Sequence, residues 1–230
     1  MKKFIAFSLV ELLIVLFMVF VVAKITYSIA NKPDKTTETE IKLKKTYDLL
    51  NDIIIAQNNK KPLYTWGWNK EKADDSPNSV LENYILPLAG KHILCSQFPL
   101  NCVGGFMSMD NEEYTNFRRD TSYARAILED GTHIALNFEN KCRKDLPNLP
   151  CGTIVIDINN KEGNNRLGED VFVFDLYSNG SFLPHGMKEN EDKINVNCDT
   201  NGYGDMCAAR IMRDNWKIRY KFEKHDSNFD

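Results

Sequence analysis

The strongest hydrophobic pattern lies near the start of the chain. Residues 7–23 are apolar except for Ser8 and Glu11, with two lysines ahead of the run and Lys24 behind it. A long apolar segment with basic flanks is typical of a helix that inserts into a membrane with its positive end in the cytoplasm. The pattern therefore predicts a single-pass membrane anchor.

Glu11 is the unusual residue of this run. A carboxylate in hydrocarbon costs about 2.5–3.5 kcal/mol, so such residues commonly mark a partner charge or a function. We therefore expect Glu11 to pair with a cation.

Helical spacing resumes after a polar stretch at residues 31–40, which contains Pro33. Apolar side chains then recur every three or four positions, which places them on one face of a helix. They are Leu43, Tyr47, Leu50 and Ile54. We predict one long helix from Phe7 to about Gln57, apolar in its first half and amphipathic in its second, with any kink at Pro33.

The second half of the chain has the pattern of an antiparallel meander. Asp130-Gly131 supplies the positive-φ positions of a hairpin turn between two strand-like segments. The predicted strands are 123–128, 133–138, 153–158, 171–177 and 216–222. A long helix packed on such a meander is an α+β fold.

Charge and length limit the possible classes. A chain of 230 residues with 43% hydrophobic content is long enough for one globular head besides the anchor. A net charge of −3 and a pI near 5.9 give no basic footprint, so no nucleic-acid partner is predicted from overall charge.

Six cysteines follow the apolar run in three neighbouring pairs. The pairs are Cys95 with Cys102, Cys142 with Cys151, and Cys198 with Cys207. Six cysteines allow fifteen connectivities, of which local pairing is the simplest. Behind an export segment the compartment is oxidising, which predicts disulfides. A zinc site would require closer Cys-x-x-Cys or histidine spacings, which this sequence lacks.

The first twelve residues form a recognisable motif. A short basic leader reads Met1-Lys2-Lys3-Phe4-Ile5-Ala6, and Phe7-Ser8-Leu9-Val10-Glu11-Leu12 follows it. This motif resembles the N-terminal signature of type IV pilins and pseudopilins. The resemblance implies that a prepilin peptidase cleaves between Ala6 and Phe7 and methylates the new amine. It also implies that Glu11 neutralises the Phe7 amine of a neighbouring subunit during assembly.

The resemblance implies an organisation and a set of partners. Residues 1–6 would be a leader, 7–30 a transmembrane and filament-core helix, and 31–230 a pilin-like head that includes the second half of the helix. In such heads a disulfide closes a C-terminal loop, here Cys198 with Cys207. The implied partners are other pilin subunits, the prepilin peptidase, an inner-membrane assembly platform and membrane lipid.

The implied function is therefore that of a structural subunit in a type IV pilus or a type II secretion-like filament. The implied location is the bacterial inner membrane, with the N-terminus in the cytoplasm, and then the periplasm or a cell-surface filament. No catalytic constellation is present in the sequence, so no enzyme activity is predicted.

Two other interpretations remain open. In a secretory signal peptide, cleavage would follow Ala23, but Glu11 would then lie inside the apolar region. A signal-anchored surface binding protein would not polymerise and would use the Trp66–Trp68 region as its contact. Both interpretations leave the position of Glu11 unexplained.

Two loops have a composition that suits calcium. Asp157, Asn159 and Asp170 place oxygen ligands around glycines between two strands, and residues 199–205 alternate carboxylate and amide oxygens. Asp, Asn and Gly are also ordinary turn residues, so a hydrogen-bonded connection is the alternative. The four histidines, His92, His133, His185 and His225, show no metal-ligand spacing.

Overall fold

The structure is a computed structural model of the chain. It describes residues 9–30, 35–69, 75–96, 102, 104–116, 122–138, 142–159 and 165–221. By its internal contacts the chain divides into two units, Met1–Glu38 and Thr39–Asp230.

Two helices lie where a single long one was predicted. α1 comprises Leu9–Ala30 and α2 comprises Lys35–Lys60. The sequence between them contains Pro33, which has no backbone N–H and disfavours a helical conformation of the residue before it. The predicted fold class, a pilin-like α+β fold with one long N-terminal helix, is therefore wrong; the described residues form a mixed α/β fold with an antiparallel sheet.

The predicted membrane anchor is also wrong. Of the helices in the described ranges, none combines the length and the apolar character needed to cross a membrane. A spanning helix needs about 20 consecutive, predominantly apolar residues. The apolar stretch of α1 runs only from Leu12 to Ala23, because Glu11 precedes it and Lys24 follows it. The predicted location, a single-pass protein of the inner membrane, is wrong for the same reason.

The described residues of the head contain eight strands, and six of them form an antiparallel sheet. The strands are β1 (His92–Leu94), β2 (Gly105–Met107), β3 (Tyr114–Asn116), β4 (Ala124–Leu128), β5 (His133–Phe138), β6 (Pro150–Asp157), β7 (Val171–Tyr177) and β8 (Phe182–Pro184). The order in the six-stranded sheet is β1-β4-β5-β6-β7-β8, and a separate hairpin pairs β2 with β3. From β4 to β8 the sheet is a meander of sequential neighbours.

The core forms where α2 and the sheet meet. The predicted helix face is buried: Leu43, Leu50 and Ile54 are fully inaccessible to solvent. Facing them, alternate residues of β7 such as Phe172 and Phe174 are buried in the same cluster. This arrangement follows from helical spacing on α2 and period-two spacing on β7.

β7 is buried on both faces. Val171 and Val173 point away from the main core and pack with Phe106 of β2 and Leu167 in a second cluster. The β2–β3 hairpin therefore helps to cover the outer face of the sheet. This explains why the first four residues of β7, from Val171 to Phe174, are all apolar rather than alternating.

Several predicted strands are confirmed, and one is wrong. Gly131 adopts a φ of 83° in the turn between β4 and β5, and Leu128 donates its N–H to Thr132 O at 2.8 Å. No strand forms over the described residues of 216–222, because Asn215 and Trp216 have φ values of 56° and 62°, which break an extended conformation.

Shorter helical elements complete the head. They are α3 (Pro77–Val80), a π-helical turn (Leu81–Ile85), 3₁₀ turns at Leu63–Thr65 and Leu86–Leu88, α4 (Glu191–Asn197) and α5 (Cys207–Arg213). Helix caps are local: Ser76 accepts a hydrogen bond from Ser79 N at the start of α3, and Asn190 accepts one from Lys193 N at the start of α4.

Candidate functional site

α1 presents an apolar surface to solvent. Every residue from Leu13 to Val22 is a large apolar side chain, and every one is exposed. Phe17 is the most exposed of them, at 68%. In the single chain these side chains extend all round the helix, whereas a water-soluble helix normally has one polar face. A helix with this composition is stable in a folded protein only when it is covered.

The motif residues lie at the edge of the described part of the chain. Ala6 and Phe7, the predicted cleavage site, fall outside the described residues. Glu11 lies near the N-terminal end of α1, which begins at Leu9. Its position in the sequence therefore places one carboxylate two residues before the exposed apolar stretch.

All three predicted disulfides are confirmed. Cys95 pairs with Cys102, Cys142 with Cys151, and Cys198 with Cys207. Three disulfides in one head are typical of a secreted protein or of one that folds in an oxidising compartment.

The Cys198–Cys207 disulfide closes a short loop between α4 and α5. Asn197, at the end of α4, holds this loop in place by hydrogen bonds through both polar atoms of its side-chain amide. Its Nδ2 donates to Asp205 Oδ1 at 2.8 Å, and its Oδ1 accepts from Met206 N at 2.9 Å. The backbone of Gly204 also donates to Asn197 O at 2.9 Å. The loop is therefore fixed by hydrogen bonds as well as by the disulfide.

The Trp66–Trp68 region does not form a binding surface through its tryptophans. Trp66 and Trp68 are 2% and 5% exposed. The indole N–H of Trp66 donates to Lys61 O at 2.8 Å, and that of Trp68 donates to Leu63 O at 2.6 Å. Both rings are thus core residues with satisfied polar atoms. The contact surface expected for a surface binding protein is not present at these side chains.

The structure brings together the three residues predicted as calcium ligands. Asn159 donates its backbone N–H to Asp157 Oδ1 at 3.1 Å and its side-chain Nδ2 to Asp170 Oδ2 at 2.6 Å. Arg166 N donates to Asp170 Oδ1 at 2.7 Å. Three carboxylate oxygens of this group therefore accept hydrogen bonds from within the loop. Residues 160–164 of the same stretch lie outside the described residues.

The second candidate calcium loop is likewise held by its own hydrogen bonds. Asp199 accepts from Thr200 N at its Oδ1 and from Gly202 N at its backbone O, both within 2.8 Å. Within the described ranges, no three His, Cys, Asp or Glu side chains are grouped so that they could hold a metal ion. The arrangement in both loops fits a hydrogen-bonded connection, and we assign no metal to either.

Sequence reasoning missed one cluster of titratable groups. His185, just after β8, lies beside Asp175 of β7 and Asp205 of the disulfide-closed loop. Asp175 also accepts a hydrogen bond from the Tyr177 hydroxyl at 3.4 Å. Burial and the neighbouring Asp175 charge raise the pKa of Tyr177 to about 12. The cluster has no local sequence signature, because its members come from three separate segments.

Comparisons with known proteins give no relative. No protein-family model matches the chain, and no curated protein or solved structure shows significant similarity to it.

Proposed function

We propose that the protein is a structural subunit of a bacterial filament of the pilin or pseudopilin class, assembled through α1. The observation that supports this proposal is the exposure of every apolar side chain from Leu13 to Val22. An isolated chain cannot leave such a helix uncovered in water without a large cost. Packing α1 against the α1 helices of other subunits covers all its faces at once.

The energy available from this packing is large. Burying one large aliphatic or aromatic side chain contributes about 1.5–3 kcal/mol. Ten consecutive side chains of this kind, residues 13–22, are exposed in the single chain. Even after the entropic cost of association, a helix bundle built on this stretch would be stable. Apolar burial therefore holds the filament in this proposal.

Glu11 supplies register and specificity. Between apolar helices its carboxylate requires a cation, and by resemblance to the pilin motif that cation is the Phe7 amine of a neighbouring subunit. Removing one partner of a buried ion pair costs on the order of 3–5 kcal/mol, because the other charge is left without compensation. Cleavage between Ala6 and Phe7 creates this amine, so processing and assembly are coupled.

The three disulfides support a site of action in an oxidising compartment. They close small loops in the head and leave α1 free of covalent constraint. The head then serves as a stable module that each subunit displays on the filament.

Variants of Glu11 test the proposal in cells that carry a pilin-type assembly system. Glu11→Ala should remain out of the sheared filament fraction although its mature N-terminus is Phe7, whereas Glu11→Asp keeps the charge and should assemble in part. Glu38→Ala, which removes an exposed carboxylate from the first turn of α2, is the matched control and should assemble normally. Normal assembly of Glu11→Ala, or a mature N-terminus at Lys24, would overturn the proposal.

A further inference from the structure

His185 bridges two carboxylates from different parts of the head. Its Nδ1 lies 3.0 Å from Asp175 Oδ2, on β7. Its Nε2 lies 3.7 Å from Asp205 Oδ2, in the loop closed by Cys198 and Cys207. The imidazole ring therefore stands between the sheet and the disulfide-closed loop.

The two carboxylates differ in their surroundings. The Asp175 side chain is only 6% exposed and also accepts the Tyr177 hydroxyl, so it is a buried anion that needs a donor. The Asp205 side chain is 24% exposed, and Asn197 fixes its orientation through Oδ1. The remaining oxygen of Asp205, Oδ2, faces His185.

The number of ring protons decides whether both contacts are attractive. A neutral imidazole has a single N–H and would donate it to the buried Asp175 through Nδ1. Its Nε2 lone pair would then face the Asp205 oxygen, with no proton between them. An imidazolium has two N–H donors and a positive charge, so it attracts both carboxylates.

We propose that protonated His185 holds the 198–207 loop against β7 of the sheet, and that loss of the Nε2 proton releases this contact. The contact is a proton-dependent latch between β7 and the disulfide-closed loop. It depends on the head alone and holds whether or not the chain polymerises.

The charges around the ring favour the protonated form. The hydrogen bond to Asp175 is the main cause that raises the pKa of His185 above its usual value, and the negative charges of Asp175 and Asp205 add to it. Burial and Lys193 of α4 act in the opposite direction. Tyr177, on β7, is neutral near pH 7 like any tyrosine, and its raised pKa of about 12 extends the neutral form to still higher pH.

Because the pKa of His185 is raised, the contact is stronger at low pH than at high pH. A group with a raised folded-state pKa stabilises the fold fully below its unfolded pKa, which is about 6.5 for histidine. That stabilisation is lost as the pH rises through the higher folded-state pKa. The latch is therefore closed in mildly acidic conditions and opens on the alkaline side of pH 6.5.

Release does not unfold the loop. The Cys198–Cys207 disulfide remains, and Met109 N still donates to Tyr203 O at 2.8 Å. Opening the latch therefore loosens the segment around Asp205 and changes the surface that this loop presents. The effect is a local gain in mobility rather than a change of fold.

Hydrogen exchange on the intact chain tests the latch. We expect the backbone amides of residues 199–206 to lose protection by about two- to fivefold, after correction for intrinsic rates, as the pH rises through the titration of His185. Exchange of the histidine C2 hydrogens, followed by mass spectrometry, gives that titration midpoint in the same sample.

Asp205→Asn and His92→Gln provide the matched variants. Asn keeps an oxygen that accepts from Asn197 but removes the charge, so Asp205→Asn should lower the His185 midpoint and abolish the pH dependence of loop protection. His92 is exposed and lies on β1, at the edge of the sheet opposite β8. His92→Gln should therefore change neither the titration midpoint of His185 nor the pH dependence of loop protection. A wild-type loop whose corrected protection does not change with pH, or an unchanged His185 midpoint in Asp205→Asn, would overturn the proposal.

Discussion

Glu40 of α2 pairs with Lys217 of the C-terminal segment, with 2.6 Å between Oε2 and Nζ. The other carboxylate oxygen accepts the backbone N–H of Ile218 at 2.8 Å. Because the Glu40 side chain is only 8% exposed, this carboxylate fixes the segment that follows α5 against the helix.

Glu40→Ala should lower the free energy of unfolding by about 1.5–3 kcal/mol, the usual contribution of hydrogen bonds to a charged group. Asp48→Ala removes a salt bridge on the same helix, to Lys44, but both partners are about half exposed. It should cost no more than about 0.5 kcal/mol. Urea unfolding of the two variants checks the difference; equal losses would show that the Glu40 contacts contribute little.

Alanine substitutions at Gly168 and Gly90 distinguish the cost of backbone strain from the cost of a steric clash. Their φ values, 77° and 81°, are both left-handed, which costs a residue with a Cβ about 1–2 kcal/mol. A Cβ at Gly168 would lie 2.6 Å from Cys207 Sγ, whereas at Gly90 the nearest atom is 3.6 Å away. Gly168→Ala should therefore destabilise the protein clearly more than Gly90→Ala in urea unfolding. Similar losses would mean that the surroundings of Gly168 adjust freely.

Tyr47 connects α2 to the sheet through its ring. Its centroid lies 5.5 Å from those of Phe174 and Phe182, and its hydroxyl donates to Phe182 O at 3.2 Å. Tyr47→Phe should cost about 0.5–1.5 kcal/mol, the contribution of one hydrogen bond. Tyr47→Ala should cost roughly 2–4 kcal/mol, because the aromatic cluster loses a member. A thermal unfolding series that reversed this order would contradict the packing.

The three disulfides should differ in their resistance to reduction. Cys142 is only partly buried and precedes a mostly exposed segment, whereas Cys198 and Cys207 are fully buried. Under mild reductant the Cys142–Cys151 bond should open first, because thiol exchange requires access to sulfur. Time-resolved alkylation with peptide mapping measures the order. Earlier labelling of Cys198 and Cys207 would show that their loop opens more readily than its burial implies.

Loss of the Cys198–Cys207 bond has a further expected cost. Replacing both residues with serine should reduce the free energy of unfolding by about 2–4 kcal/mol, the usual range for a native disulfide. Calorimetry of the variant checks this value. A variant as stable as the native chain would mean that the hydrogen bonds of Asn197 are sufficient to hold the loop.

Features set by neighbouring residues could be predicted from the sequence. The hairpin at Asp130-Gly131 depends on local turn chemistry, and the buried face of α2 depends on the spacing of Leu43, Leu50 and Ile54. The disulfides were predicted because each pair is close along the chain. In all these cases the residues that determine the structure are close to one another along the chain.

Other features depend on contacts across the fold. β1, β2, β3 and β8 have three residues each, too few for a hydrophobic period to appear. The separation of α1 from α2 was missed because the apolar and amphipathic patterns were joined across Pro33. α5 could have been found, since its sequence, Cys-Ala-Ala-Arg-Ile-Met-Arg, is rich in strong helix formers. The His185 cluster could not, because only tertiary folding brings Asp175 and Asp205 to it.

Photo-crosslinking from α1 tests most directly whether this helix is covered by other subunits. A benzoylphenylalanine at position 17 replaces the most exposed phenylalanine of α1, and one at position 114 replaces an exposed tyrosine of the head as the control. In assembled filaments, we expect residue 17 to form adducts with residues 13–22 of a second copy, whereas position 114 gives no adducts to α1. Adducts from position 17 only to the head of its own chain, or to unrelated proteins, would contradict assembly through α1.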